Sequence, residues 1–175
     1  MSKIIFTVSM STQTVDLASR VTLRRVEYPA DEQFMQELYL KSRDDLAGLF
    51  DDEEQQRQLL LMQYRGQRQT YDQEFPNADD DVVMLDGEPV GRLLIDRTPG
   101  RFFGVDILIT PERRSSGIGA ELLRRLFSES EDRGVPFRFS VARGNPAIRL
   151  YERLGCRQEG ENATHLIMRW EVNVR

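Results

Sequence analysis

A strand-like run that empties into a glycine-bearing turn and then an amphipathic helix constrains this chain more than any other feature. Val105-Asp106-Ile107-Leu108-Ile109-Thr110 reads as a strand, and Pro111-Glu112-Arg113-Arg114-Ser115-Ser116-Gly117-Ile118-Gly119-Ala120-Glu121-Leu122-Leu123 follows it directly. Ile118, Leu122, Leu123, Leu126 and Phe127 recur at helical spacing, which predicts a helix running to about Arg133 and stopped by Gly134. A helix N-terminus at a strand end presents unpaired N–H groups and the positive end of the helix dipole. Glycines there remove the side chains that would hold a diphosphate away from the backbone.

Spacing separates the nucleotide sites such a turn can serve. A dinucleotide fingerprint needs a third glycine where Leu122 stands, and a phosphate-gripping P-loop needs a Gly-Lys pair that is absent here. What is left is Arg114-Ser115-Ser116-Gly117-Ile118-Gly119, similar to the Gln/Arg-x-x-Gly-x-Gly/Ala signature of the GNAT superfamily of N-acetyltransferases. A second block, Asn145-Pro146-Ala147-Ile148-Arg149-Leu150-Tyr151-Glu152-Arg153-Leu154-Gly155-Cys156, resembles that family's Asn-Pro-Ala-x-x-Leu-Tyr-x-x-Leu-Gly-Phe segment. Local physics agrees with a helix there: Asn145 suits an N-cap, Pro146 the first helical position and Gly155 a left-handed stop. The two blocks stand in the family's order, with one helix and one strand between them.

Length and charge fit a single enzyme-sized domain. The chain has 175 residues, 39% of them hydrophobic, enough for a substantial core. No apolar run approaches the roughly 20 residues that span a bilayer, and the N-terminus has no secretory cleavage pattern, so a soluble, cytoplasmic protein is expected. One cysteine, Cys156, excludes an internal disulfide and fits a reducing compartment. The net charge is −5 and basic residues are scattered, which disfavours nucleic acid and membrane as partners. No metal is expected, and a homodimer is left open.

Along the chain, residues 1–20 lack a clear period and read as a flexible or loosely attached segment ahead of a single domain over 21–175. Val21, Leu23 and Val26 suggest a strand, 31–42 a first helix, and Asp51 to about Gln69 a second, with Thr70–Ala78 as a loop. Val82–Leu85 and Val90–Ile95 flank Asp86-Gly87, a hairpin signal because Asp-Gly readily takes positive φ. Strands over Phe102–Thr110 and Val135–Val141, the Asn145 helix and a terminal strand from His165 to Val172 complete the order β-α-α-β-β-β-α-β-α-β. That order implies an α/β fold, a mixed central sheet with helices on both faces. It matches the GNAT-like acyl-CoA N-acyltransferase fold over about 21–172, in which the strands after Phe102 and Val135 splay apart and admit the pantetheine arm.

The resemblance implies acetyl-CoA as cosubstrate and a primary amine as acceptor. Backbone groups of Ile107, Leu108 and Ile109 would pair with pantetheine. Backbone N–H groups of Ser115, Ser116, Gly117, Ile118, Gly119 and Ala120 would hold the diphosphate, with Arg114 opening the signature. Asn145 would contact the pantetheine region or cap its helix. Tyr151 matches the tyrosine that many members place near the sulfur, where a phenol can protonate a thiolate.

Asp106 is an acid interrupting an apolar strand, costly to bury unless it faces a polar cavity or has partners. It is the candidate base, although aligning it with the family's acids calls for a one-residue bulge. His165, the only histidine, ranks below it. Cys156 reads as a small apolar substitution, with no base beside it to support an acyl-cysteine route. Gln63, Tyr64, Gln67, Tyr71, Gln73, Glu74 and Phe75 form the stretch that would shape an acceptor pocket, or else a solvated helix face. A non-catalytic acyl-CoA-binding or regulatory module of the same fold is the competing reading.

Overall fold

The computed structural model describes residues 16–43 and 52–171. Residues 1–15, which make up most of the segment expected to be loosely attached, lie outside that range, as do Asp51 and Val172. In order the elements are α1 (Leu17–Arg20), β1 (Val21–Arg25), α2 (Glu32–Ser42), α3 (Glu53–Glu74), β2 (Asp79–Leu85), β3 (Glu88–Asp96) and β4 (Phe102–Ile109). A 3-10 turn, Pro111–Arg113, leads to α4 (Ile118–Arg133), β5 (Phe137–Ala142), α5 (Ile148–Arg153), β6 (Arg157–Glu161) and β7 (His165–Trp170). One mixed seven-stranded sheet runs β1-β2-β3-β4-β5-β7-β6, with β4 and β5 its parallel pair.

Alternation along the strands divides the core between two faces. Val83, Leu93, Phe102, Phe137 and Phe139 pack under α4, whose Ile118, Leu122, Leu123 and Leu126 are each at most 2% exposed. Each such aliphatic side chain contributes about 1.5–3 kcal/mol. Val82, on the opposite face, packs with Met35 and Tyr39 of α2 and with Leu60 and Tyr64 of α3. The expected Asp-Gly hairpin is present, with φ of 52° at Asp86 and 85° at Gly87. α4 ends where expected: Gly134 takes φ 63°, and the Val135 N–H donates to the Ser130 carbonyl at 3.2 Å.

Three expectations need correction. The second helix does not stop near Gln69 but continues to Glu74, so Tyr71 is helical and the connection shrinks to four residues. Regular helix after Asn145 starts only at Ile148. Arg157–Glu161 forms a strand where none was expected, because this edge strand is almost wholly exposed and carries no apolar alternation.

The sheet's decisive feature is that β4 and β5 pair only over Phe102↔Phe137, Phe103↔Arg138 and Gly104↔Phe139. Gly104 sits at the vertex, where a Cβ would stand 2.9 Å from Phe137 Cζ and 3.2 Å from Phe139 Cβ. The aromatic side chains of β5 can close on β4 there because the glycine has no side chain. Beyond Gly104 the strands diverge and leave a gap along Val105–Ile109.

Candidate active site

Backbone direction decides which groups face the gap. The Thr110 N–H donates to the Val90 carbonyl at 2.9 Å, on the β3 side. Strand alternation therefore turns the N–H and C=O of Ile109 and Ile107 toward the gap and those of Leu108 toward β3, its register partner being Arg92. The Arg114 guanidinium Nε donates to the Ile109 carbonyl at 3.3 Å, fastening the turn to the strand end.

The turn opens an anion-ready helix end. Gly117 takes φ 91°, and no side chain caps α4, whose first intrahelical bond runs from the Glu121 N–H to the Gly117 carbonyl at 3.0 Å. Ser115 (φ 59°), Ser116 and Gly117 are exposed, and the Ser116 hydroxyl donates to the Arg113 carbonyl at 2.6 Å. Ile118 anchors the turn with a side chain 1% exposed, while Gly119 and Ala120 complete the first helical turn. A Cβ on Gly119 would meet only Leu150 Cδ2, at 3.9 Å. Packing does not demand glycine at that position, and the backbone there is open to a ligand. An uncapped, glycine-lined helix start beside a split strand pair fits a diphosphate with an extended arm.

Asp106 lies on the other face of the sheet, toward α3. β4 is irregular here, Leu94 pairing with Asp106 and Ile95 with Gly104, so Val105 is an extra residue in the strand. The Asp106 side chain is 14% exposed, and its Oδ2 is buried without a hydrogen-bond partner. Burial pushes its pKa up to about 6, against the pull of the Arg92 charge. Arg92 itself is 8% exposed; its Nε and Nη2 grip Asp80 Oδ1 and Oδ2 at 2.8 and 2.9 Å, and its Nη1 stands 3.6 Å from Asp106 Oδ2. Neither Arg92 nor Asp80 was singled out from sequence. The signal was available, because Arg92 interrupts the apolar run Val90–Ile95 just as Asp106 interrupts its own.

Tyr151 stands on α5 beside the gap. Its ring meets Phe139 edge-on, and burial, with smaller effects from Cys156 and Asp106, pushes the phenol up to about 12. It is therefore a proton donor at neutral pH. α5 closes in a Schellman turn: the Cys156 N–H donates to the Tyr151 carbonyl at 3.0 Å and the Gly155 N–H to the Glu152 carbonyl at 3.0 Å. Cys156 is 4% exposed and its thiol is pushed up to about 12 by burial, which makes it a packing residue with no thiolate to offer. Asn145 is exposed, and its side chain accepts from the Ala147 N–H at 2.9 Å, holding the turn into α5. His165 starts β7 opposite Ala142, its Nδ1 2.8 Å from the Thr164 hydroxyl.

On the Asp106 side, a cavity of about 280 Å³ is lined by Tyr71, Asp72, Phe75, Asp80, Arg92 and Leu94, among others. Tyr71 and Phe75, from the stretch flagged for an acceptor, reach it. Tyr64 does not; it is 3% exposed and packs on Tyr39 at 5.6 Å. Gln63 accepts from Arg43 at 3.4 Å, and Gln73 and Glu74 are exposed. Among the described residues no cluster of His, Cys, Asp or Glu has metal-holding geometry, and no helix is long and apolar enough to cross a membrane.

Comparison with known proteins accords with this fold. The acetyltransferase (GNAT) family model matches residues 33–156. The PaiA N-acetyltransferase from Thermoplasma acidophilum, solved in complex with coenzyme A, superposes with a TM-score of 0.66 at 18% identity over 86% of this chain and 98% of that one. An acetyltransferase from Thermus thermophilus gives 0.61 at 22% over 86% and 96% of the two chains. The ribosomal-protein-S18-alanine N-acetyltransferase from Escherichia coli gives 0.57 at 18% over 89% and 96%. At these identities the likeness is one of fold. No curated protein matches the sequence. With the family model spanning most of its length, the chain belongs to the GNAT family of acetyltransferases.

Proposed function

We propose that this protein transfers an acetyl group from acetyl-CoA to a primary amine by direct attack. The observation that carries the reading is the placement of a buried carboxylate oxygen with no partner, Asp106 Oδ2, and a neutral phenol, Tyr151, at one divergence of β4 from β5. Bound acetyl-CoA supplies a thioester whose carbonyl oxygen, and then whose sulfur, gathers negative charge as the amine attacks.

The chain's own groups match those demands. Backbone N–H groups from Ser115 to Ala120 hold the diphosphate; one exposed dipole contact gives only about 0.3–1 kcal/mol, so several converging donors are needed. The gap-facing backbone groups of Ile107 and Ile109 pair with the pantetheine arm and offer an N–H to the thioester oxygen. Asp106 Oδ2 accepts the amine proton, and a pKa of about 6 leaves it ionised at neutral pH. Tyr151 Oη donates its proton to the departing sulfur. The coenzyme A complex of the Thermoplasma acidophilum relative supports the choice of cosubstrate.

The acceptor enters from the α3 side. A cavity of about 280 Å³ lies below the roughly 300–1,000 Å³ of sites that enclose whole drug-sized ligands, so it admits the amine-bearing end of an acceptor between Tyr71 and Phe75. Thiol release from acetyl-CoA across a panel of small amines and peptides tests the proposal. Release with at least one amine, abolished or strongly reduced in Asp106→Asn, is expected. Coenzyme A binding without release on any amine would instead mark a non-catalytic acyl-CoA-binding module.

A further inference from the structure

We propose that Arg92, clamped by Asp80, is a positioning residue that keeps Asp106 charged yet unoccupied, so that its Oδ2 remains free to take a proton. The inference rests on Asp106 acting as the base and adds the device that sets it.

The geometry makes the case. Two of the guanidinium's three nitrogens are committed to Asp80 in a bidentate fork at 2.8 and 2.9 Å. That fork fixes the plane of a side chain only 8% exposed, and it leaves Nη1 at 3.6 Å from Asp106 Oδ2. The separation is too long for a hydrogen bond and short enough for strong charge attraction in a buried setting. Had Arg92 been free to pivot, it would have closed on Asp106 as a salt bridge and consumed the lone pair the reaction needs. Had the cation been absent, an acid this buried would have stayed protonated. Asp80 therefore acts on Asp106 in two ways, by restraining Arg92 and by adding a negative charge nearby.

The groups around Asp106 are Arg92 from β3, Asp80 from β2, Tyr71 from α3 and Tyr151 from α5, with the neighbouring Ile107 backbone N–H also favouring the charged form. Only Arg92 among them is a cation. Tyr71 and Tyr151 are both held in the neutral form by burial, so over the working range the charged side chains that bear on Asp106 are Arg92 and Asp80, acting against burial, which favours the protonated acid. Tyr71 also places its ring 5.9 Å from the guanidinium carbon, which covers the cation on the α3 side.

The two partners predict opposite signs. Arg92→Gln removes the cation and raises the Asp106 midpoint by about 1–3 pH units. Asp80→Asn removes a negative charge and releases Nη1 to pair with Oδ2, which lowers the midpoint and also reduces the plateau rate. Arg92→Lys retains a cation and holds the midpoint nearer that of the wild type than Arg92→Gln does. The experiment is a carboxyl-carbon NMR titration of Asp106 in the ligand-free full chain for the wild type and these variants, alongside the pH profile of kcat/KM.

Opposite movements in Arg92→Gln and Asp80→Asn support the proposal. Midpoints that stay put, or that move together in both variants, overturn it. Arg92→Lys and Asp80→Asn supply the answer if Arg92→Gln fails to fold. Should the carboxyl midpoints move as stated while the rate profiles do not follow, the clamp stands and the assignment of Asp106 as base falls, so the two failures are told apart.

Discussion

The Tyr151 ring meets the Phe139 ring edge-on, with centroids 4.6 Å apart at an interplanar angle of 66°. The contact belongs to the carbon skeleton and fixes the ring at the open side of the β4–β5 gap, leaving the hydroxyl as the chemical part of the side chain.

Tyr151→Phe keeps that contact and removes only the donor. Thermal unfolding of the variant stays within a few degrees of the wild type, while kcat falls about 100-fold with little change in coenzyme A affinity, as loss of one general acid implies. Calorimetry and steady-state rates measure the two effects separately. A variant with wild-type kcat would remove Tyr151 from the chemistry.

If Asp106 is the base proposed above, it sets activity against stability. Its pKa rises from 3.8 to about 6 on folding, so the native state binds the proton more tightly than the unfolded chain does. The group's favourable contribution is complete below about pH 4 and is lost as the pH rises through 6. Above that, an ionised Asp106 costs on the order of 3 kcal/mol. Asp106→Asn removes the penalty: at pH 8 it unfolds at a temperature equal to or above that of the wild type while losing about 100-fold or more in kcat/KM. The stability gap narrows at pH 4, which denaturant titration at the two pH values reads directly.

The two glycines of the α4 turn respond differently to the same methyl. Gly117 has φ 91°, and a Cβ there would press on Leu17 Cδ2 at 3.1 Å, so Gly117→Ala destabilises the fold by about 1 kcal/mol or more. Gly119 has helical neighbours and room for a methyl, so Gly119→Ala leaves stability equal or better. Coenzyme A binding weakens about tenfold because the methyl stands where the diphosphate approaches. Paired unfolding curves and binding titrations give both results.

Cys156 is closed to solution chemistry in the native state. At pH 8 a thiol pushed up to about 12 and 4% exposed reacts with alkylating reagents far more slowly than the same residue in denaturant. Cys156→Ala retains kcat within a few-fold while losing stability through the cavity it leaves. Rapid inactivation of the native enzyme by a thiol reagent would contradict this account.

What could be read from the residues in advance follows from how each part is specified. α4 was visible because its apolar face, its glycine stop and its glycine start are all local signals, and the Asp86-Gly87 hairpin was visible because two residues fix its backbone. Strand β6 was hidden because Arg157-Gln158-Glu159-Gly160-Glu161 is held by pairing with β7 and buries almost nothing of its own. The run of α3 to Glu74 had only a sparse mark, Tyr64, Tyr71 and Phe75 at helical spacing within an otherwise polar stretch, which a loop ending in Phe75-Pro76-Asn77 fits as well. Asp106 was conspicuous as an acid in an apolar strand, but the clamp proposed to control it joins β2, β3 and β4, and only the two registers that set Leu94 opposite both Asp80 and Asp106 bring its members together.

The placement of the coenzyme is tested most directly by following backbone amide resonances of the full chain while coenzyme A is titrated in. The account predicts that the largest shifts cluster at Ser115–Ala120 and at Ile107 and Ile109, with Leu108, turned toward β3, moving less. Saturating coenzyme A that leaves those amides still, or that moves a different surface instead, would contradict it.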